Sequence, residues 1–238
     1  EENPDRYHSL SPRAEVRGKS SFSEQFGKQL VAAAKKDEKI CAITAAMCGG
    51  TGLGGFCAAF PDRFFDVGIA EEHAVTFAAG LAAGGKRPVV AIYSTFLQRA
   101  YDNIIHDVAL QNLPVCFCID RAGLNAVDGP THHGIFDVAF LSGIPNMTIF
   151  TPATYGALEC AMREALAMNA PTAIRYPRGA EDPEVVARFY GEAAPGSIGL
   201  RRDFAVGDRL DAVIITHGRI VSEAMRAQKI LAEQGKHV

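Results

Sequence analysis

Two acids and an imidazole in a row, Glu71-Glu72-His73, open the most unusual stretch of this 238-residue chain. From 71 to 84 there is room for about four helical turns, and after His73 the run is Ala, Gly, Val, Thr, Phe and Leu without a charge. A helix apolar on every side is expected to be buried, and its small residues let neighbouring backbones come close. Carboxylates at the edge of such a core must find a strong partner or shift their pKa. That setting suits hydrogen-bond or acid–base chemistry on a bound molecule. The plainer alternative is that both acids only complement the dipole of the first turn.

Three further clusters carry polar chemistry. Tyr93-Ser94-Thr95-Phe96-Leu97-Gln98-Arg99 combines an aromatic pair at i, i+3, which could equally be core, with a fixed cation suited to a carboxylate or hydroxyl. Asp120-Arg121-Ala122-Gly123 leads through Asp128-Gly129-Pro130-Thr131 to His132-His133-Gly134. A loop of that length between strand and helix is uncommon unless functional, and a histidine in it can move a proton near neutral pH. Asp128-Gly129 taken alone is only a turn signal. Tyr176-Pro177-Arg178-Gly179 adds a second arginine. Arg121 and Arg178 on adjacent strand-end loops could grip a phosphate bidentately, whereas Arg175 fits a surface arginine with acidic neighbours. The turn Ala45 to Gly52 is glycine-rich but spaced as neither a P-loop nor a dinucleotide fingerprint, and reads as a close-packing loop.

These clusters need a frame. Ser21-Phe22-Ser23-Glu24 is a capping box, so a helix should run from 22 to 36. Apolar runs predict strands at 39–44, 64–68, 88–93, 113–119, 147–151 and 172–176. Helices are expected at 53–60, 71–84, 96–111, 135–142 and 154–168. Strands separated by helices imply an α/β fold, a parallel sheet sandwiched by helices. Ligands of such sheets sit beyond the carboxyl ends of the strands. All four polar clusters follow strands, so they should converge on one rim.

Residues 1–20 read as a linker, 21–180 as the main domain and 181–208 as a second linker. A strand from 211 and a helix over 219–234 form a last β-α unit that cannot bury its own apolar faces. A net charge of −3 argues against a nucleic-acid or anionic-membrane surface, and no apolar run has membrane-spanning length. No signal-peptide layout opens the chain, which makes a cytoplasmic location the default. The six cysteines fit no zinc spacing and read as core thiols.

Asp66-Val67-Gly68-Ile69-Ala70-Glu71-x-His73-Ala74-Val75-Thr76-Phe77-Ala78-Ala79-Gly80-Leu81-Ala82 resembles the glutamate segment of thiamine diphosphate enzymes, in the form found in 1-deoxy-D-xylulose-5-phosphate synthases. Ala45-Ala46-Met47-x-x-Gly50-Thr51-Gly52-Leu53 and Tyr93 to Asp102 are similar to the same family. The chain carries Glu72 where most members have Gln. The resemblance implies a pyrimidine-binding domain of the transketolase type, followed by the start of its C-terminal domain. It further implies that Glu71 hydrogen-bonds the pyrimidine of thiamine diphosphate, that Tyr93 and Phe96 pack on that ring, and that Arg99 reaches the substrate. By the same resemblance Asp128 and His132 meet the acceptor's hydroxyl and carbonyl groups, while Arg121 and Arg178 hold its phosphate.

The family's reaction decarboxylates pyruvate and joins the two-carbon unit to glyceraldehyde 3-phosphate, feeding isoprenoid, thiamine and pyridoxal synthesis. No Gly-Asp-Gly with a following Asn, the family's Mg²⁺ and diphosphate segment, occurs here. The metal ligands are therefore expected in an N-terminal domain outside this chain, and the chain alone should bind cofactor weakly and be inactive. A homodimer is expected from the Ala/Gly-rich helix. The alternatives are the C-terminal section of a split transketolase, a 2-oxo acid dehydrogenase E1 β subunit, or a non-catalytic interaction module with the same fold.

Overall fold

The computed structural model describes residues 20–125, 128–189 and 209–238. The linker expected over 1–20 lies outside them but for Ser20, as does most of the second linker, 190–208. Among the described residues six strands form one sheet: β1 (Ile40–Thr44), β2 (Phe64–Asp66), β3 (Arg87–Tyr93), β4 (Cys116–Asp120), β5 (Thr148–Phe150) and β6 (Thr172–Arg175). Their order is β2-β1-β3-β4-β6-β5, and every neighbouring pair is parallel.

Alternation along the central strands builds two cores. Val90, Ile92, Phe117 and Ile119 face one side, against helix α3 (Glu71–Ala83), which follows the short α2 (Gly54–Ala59) in the chain. Val89, Ala91, Cys116 and Cys118 face the other, against α1 (Phe22–Ala34) and, further along the chain, the long helix Tyr155–Ala167. Both faces of these strands are buried, which is why they read as unbroken apolar runs. The capping box of α1 is present, with Ser21 accepting from the Glu24 amide and Glu24 accepting from that of Ser21.

Several expectations need correction. The helix expected over 96–111 is a broken run: an α-turn at Ser94–Leu97, 3₁₀ geometry over Gln98–Ala100, another α-turn at Tyr101–Asn103, and a π-helical stretch Ile104–Ala109. A π-stretch shifts the side-chain period, so a simple helical pattern fails there. Helix α3 buries Glu71, Ala74, Val75, Ala78, Ala79 and Ala82, but Glu72, His73, Thr76 and Gly80 on its other side are exposed. Apolar character all round does not bury this helix within a single chain. His73, exposed on that side, stacks on Phe77 with ring centroids 6.0 Å apart.

The residues from 211 to 217 form no strand, and Val213, Ile214 and Ile215 are exposed. A lone strand has no edge to join and leaves its ladder unmade. Within the expected second linker, Pro183–Phe189 is helical. Arg175, taken for a surface arginine, is half-buried in a two-bond pair with buried Asp137: Nε donates to Oδ2 at 2.8 Å and Nη2 to Oδ1 at 3.2 Å.

Candidate active site

Each polar cluster hangs from the carboxyl end of a strand, as the parallel sheet demands. Glu71 follows β2, Tyr93 ends β3, Asp120 ends β4, and Arg178 follows β6. The short loop after β2 delivers Glu71 to the first position of α3, where its side chain is 2% exposed while Glu72 faces outward. Arg99 Nη1 donates to Glu71 Oε1 at 2.6 Å, leaving Oε2 for a further donor. The same guanidinium lies 5.1 Å from the Phe96 ring centroid.

Phe96 is the hinge between two halves of the site. It stacks with Tyr93 at 5.9 Å and meets the His132 ring edge-on at 5.4 Å. The Arg121 guanidinium lies 3.7 Å from the Tyr93 ring centroid, a cation–π contact. Burial pushes the Tyr93 phenol up, against the pull of Arg121. Gly50 is what lets the ring sit there: a Cβ at that position would lie 1.7 Å from the Tyr93 hydroxyl oxygen.

Arg121 itself is held from several directions. Its Nη1 donates to the Gly50 carbonyl at 2.7 Å and to Asp120 Oδ1 at 3.0 Å. Asp120 is buried, takes the Arg121 amide at 2.7 Å, and accepts from Ser23 Oγ of α1 at 2.6 Å. Burial raises the Asp120 carboxyl even though Arg121 and Ser23 favour its charge. The Arg121 backbone is left-handed, φ +58°, a costly state for a residue with a Cβ and one that clusters at functional sites.

The loop after β4 is closed at its base by Gly123 and Gly134, whose amides donate to each other's carbonyls at 2.7 and 2.8 Å. Inside it, the Asn125 amide donates to His133 Nδ1 at 3.0 Å, so His133 shapes the loop. Asp128 lies between two arginines. Arg178 Nη1 donates to its Oδ1, and Arg121 Nε stands 3.5 Å from its Oδ2. That second approach is an ion pair and no hydrogen bond, for among the described residues Nε is buried without a hydrogen-bond partner. Burial opposes the charge of Asp128, but bonds from Arg178 and Asn125 outweigh it and hold the carboxyl below the usual range.

The structure thus links Glu71, Arg99, Phe96, His132, Tyr93, Arg121, Asp128 and Arg178 through successive contacts. Sequence reasoning missed Ser23, Gly50 and Asn125. Ser23 was visible only as part of a helix start, and Gly50 only as one glycine of several. Among the described residues no group of three or more His, Cys, Asp or Glu could hold a metal ion.

A doubly covered parallel sheet with a buried acid, an aromatic pair and a cation at its strand ends places these groups where α/β domains of this kind bind their ligands. Residues 19–182 match the family model described as transketolase, pyrimidine binding domain. The chain belongs to that family, one of thiamine diphosphate-dependent transferases.

Its curated relatives include the 1-deoxy-D-xylulose-5-phosphate synthase of Syntrophotalea carbinolica, 51% identical over 100% of this chain and 38% of the relative. That of Oleidesulfovibrio alaskensis is 60% identical over 72% of this chain and 28% of the relative. The chain therefore spans well under half the length of these relatives. Among solved structures, a split-gene transketolase described as an inactive β4 tetramer superposes with a TM-score of 0.73 at 29% identity, covering 92% of this chain and 70% of that one. A Pichia stipitis transketolase gives 0.72 at 19% identity, covering 93% and 34%, and speaks for the fold alone.

Proposed function

We propose that this chain is the pyrimidine-binding part of a 1-deoxy-D-xylulose-5-phosphate synthase, joining a two-carbon unit from pyruvate to glyceraldehyde 3-phosphate for isoprenoid, thiamine and pyridoxal precursors. The observation that carries it is the unbroken series of contacts from Glu71 to Arg178, with a dry acid at one end and a pair of arginines at the other. Relatives near 50% identity over the whole chain support the same reading.

The residues present fit the cofactor. Glu71 keeps one carboxylate oxygen that would accept from a protonated pyrimidine ring nitrogen, and Tyr93 and Phe96 offer aromatic faces beside it. Bound thiamine diphosphate supplies the nucleophilic carbon that decarboxylates pyruvate and carries its two-carbon remainder. Glu71 orients the ring and favours its proton-accepting tautomer. Arg99 provides a fixed cation for the pyruvate carboxylate. His132 moves a proton at the acceptor carbonyl, Asp128 meets the acceptor hydroxyls, and Arg121 and Arg178 bind its phosphate.

Mg²⁺ and the diphosphate are assigned to residues outside the described ones, and the exposed side of α3 fits a homodimer contact. Glu71→Ala in the full-length enzyme tests the assignment. Loss of 1-deoxy-D-xylulose 5-phosphate formation, at least 100-fold, with the fold retained by circular dichroism, supports it. Retained activity reduces Glu71 to a first-turn acid. Sedimentation of the full-length enzyme as a monomer would remove the dimer.

A further inference from the structure

We propose that Asp128 is a built-in occupant of the acceptor's anion site: the acceptor's phosphate takes the place of its carboxylate between Arg121 and Arg178, and the released carboxylate turns to the acceptor hydroxyls. This rests on the reading above that these two arginines bind the phosphate.

Three observations lead there. Asp128 stands where an anion gripped by both arginines must stand, bonded to Arg178 and 3.5 Å from Arg121 Nε. Asp120 and Asp128 already face the two guanidinium groups. A phosphate monoester of about −2 charge added on top of Asp128 would place like charges together in a partly buried pocket. Finally, Arg121 Nε is a buried donor without a hydrogen-bond partner among the described residues. A single carboxylate bonded to Arg178 does not reach it, while a phosphate presents three oxygens on a tetrahedral centre.

The holds on Asp128 suit a residue that moves. Its own bonds run to Arg178 and to Asn125 within the same loop, and the side chain is 24% exposed. The loop base stays fixed through the Gly123–Gly134 pair, so the exchange needs no rearrangement of the sheet. Specificity follows. An aldehyde without a phosphate leaves Asp128 tied to the arginines, so its hydroxyls find no partner and turnover itself suffers, not only binding.

Inorganic phosphate titrated into the purified chain and followed by ³¹P line broadening tests the exchange. Asp128→Asn and Asp128→Ser should each bind phosphate at least about tenfold tighter than the parent, and Arg178→Ala should lose it. Two substitutions are used so that misfolding of one does not decide the matter. If neither tightens binding while Arg178→Ala abolishes it, the exchange is overturned and the arginine site stands. If phosphate binds to none of the proteins, or equally well to Arg178→Ala, the arginine site fails and the proposal with it.

Discussion

Arg99 Nη1 sits 2.6 Å from Glu71 Oε1, and the two side chains differ sharply in exposure, 49% for the arginine and 2% for the acid. A half-solvated cation thus reaches inward to a carboxylate that water does not reach. Arg99→Met should cost about 1–3 kcal/mol by leaving that buried acceptor unmet. For a domain of this size each kcal/mol corresponds to roughly 2–4 °C in Tm. Glu71→Gln in the same background should recover much of the loss, because the neutral amide is cheaper to bury unpaired. Melting curves of the parent, the two single variants and the double variant read the coupling directly. Strict additivity would show that the pair is not energetically linked.

The Asp137–Arg175 pair should matter more to folding. Both side chains are nearly closed to solvent, at 1% and 11%, and two bonds join them. Arg175→Met should destabilise by about 3–5 kcal/mol, since it strands a buried carboxylate. Glu164→Gln, which removes an exposed pair with Arg163 at 3.7 Å, should stay within about 1 kcal/mol. Urea unfolding of the two variants side by side gives the comparison.

Gly50→Ala is the smallest change that should disturb the aromatic pair. The new methyl group would meet Tyr93 Oη at 1.7 Å and Cζ at 2.8 Å, so the ring must move and Arg121 loses its stacking face. Overpacking of this kind costs about 1–3 kcal/mol. In the full-length enzyme the affinity for thiamine diphosphate should fall along with it. Tyr93→Phe in the same background should restore part of both, having removed the atom that clashes.

Acid should loosen the loop after β4. Asp128 has a folded-state pKa below its ordinary value, so its pairing adds stability that is complete above the unfolded value, near 3.9. That stability is lost as pH falls through the folded value. Urea midpoints between pH 6 and pH 3 should therefore drop less for Asp128→Asn than for the parent. Equal slopes would mean that the pairing carries no net energy.

The thiols give a check on burial. Cys41, Cys116, Cys118 and Cys160 are buried, whereas Cys48 and Cys57 are part-exposed. Burial pushes the Cys41 thiol up to about 11, so almost none of it is thiolate at pH 8. Mass spectrometry after brief iodoacetamide treatment at pH 8 should find label on Cys48 and Cys57 first. Early labelling of Cys116 or Cys118 would contradict the packing of β4.

Much of the frame was legible in the sequence because its signals are local. The capping box at Ser21–Glu24 and the apolar run ending at Asp120 each lie within a few residues, and the strand-end rule then placed Tyr93, Arg121 and Arg178 on one rim. The π-helical stretch was not legible, for one extra residue per turn leaves no mark in composition. Nor was the exposed side of α3, since an apolar pattern does not say which surface covers it. Pairings across long separations were also hidden. Asp128 and Arg178 are 50 residues apart and Ser23 and Asp120 are 97 apart, and spacing alone names no partner.

The left-handed backbone at Arg121 has a practical consequence for anyone engineering this domain. Glycine would relax that backbone by about 1–2 kcal/mol, yet it would leave the buried Asp120 carboxylate without its cation, a loss of about 3–5 kcal/mol. A library selected for heat resistance alone should therefore keep arginine here, so its persistence in such a screen says nothing about turnover.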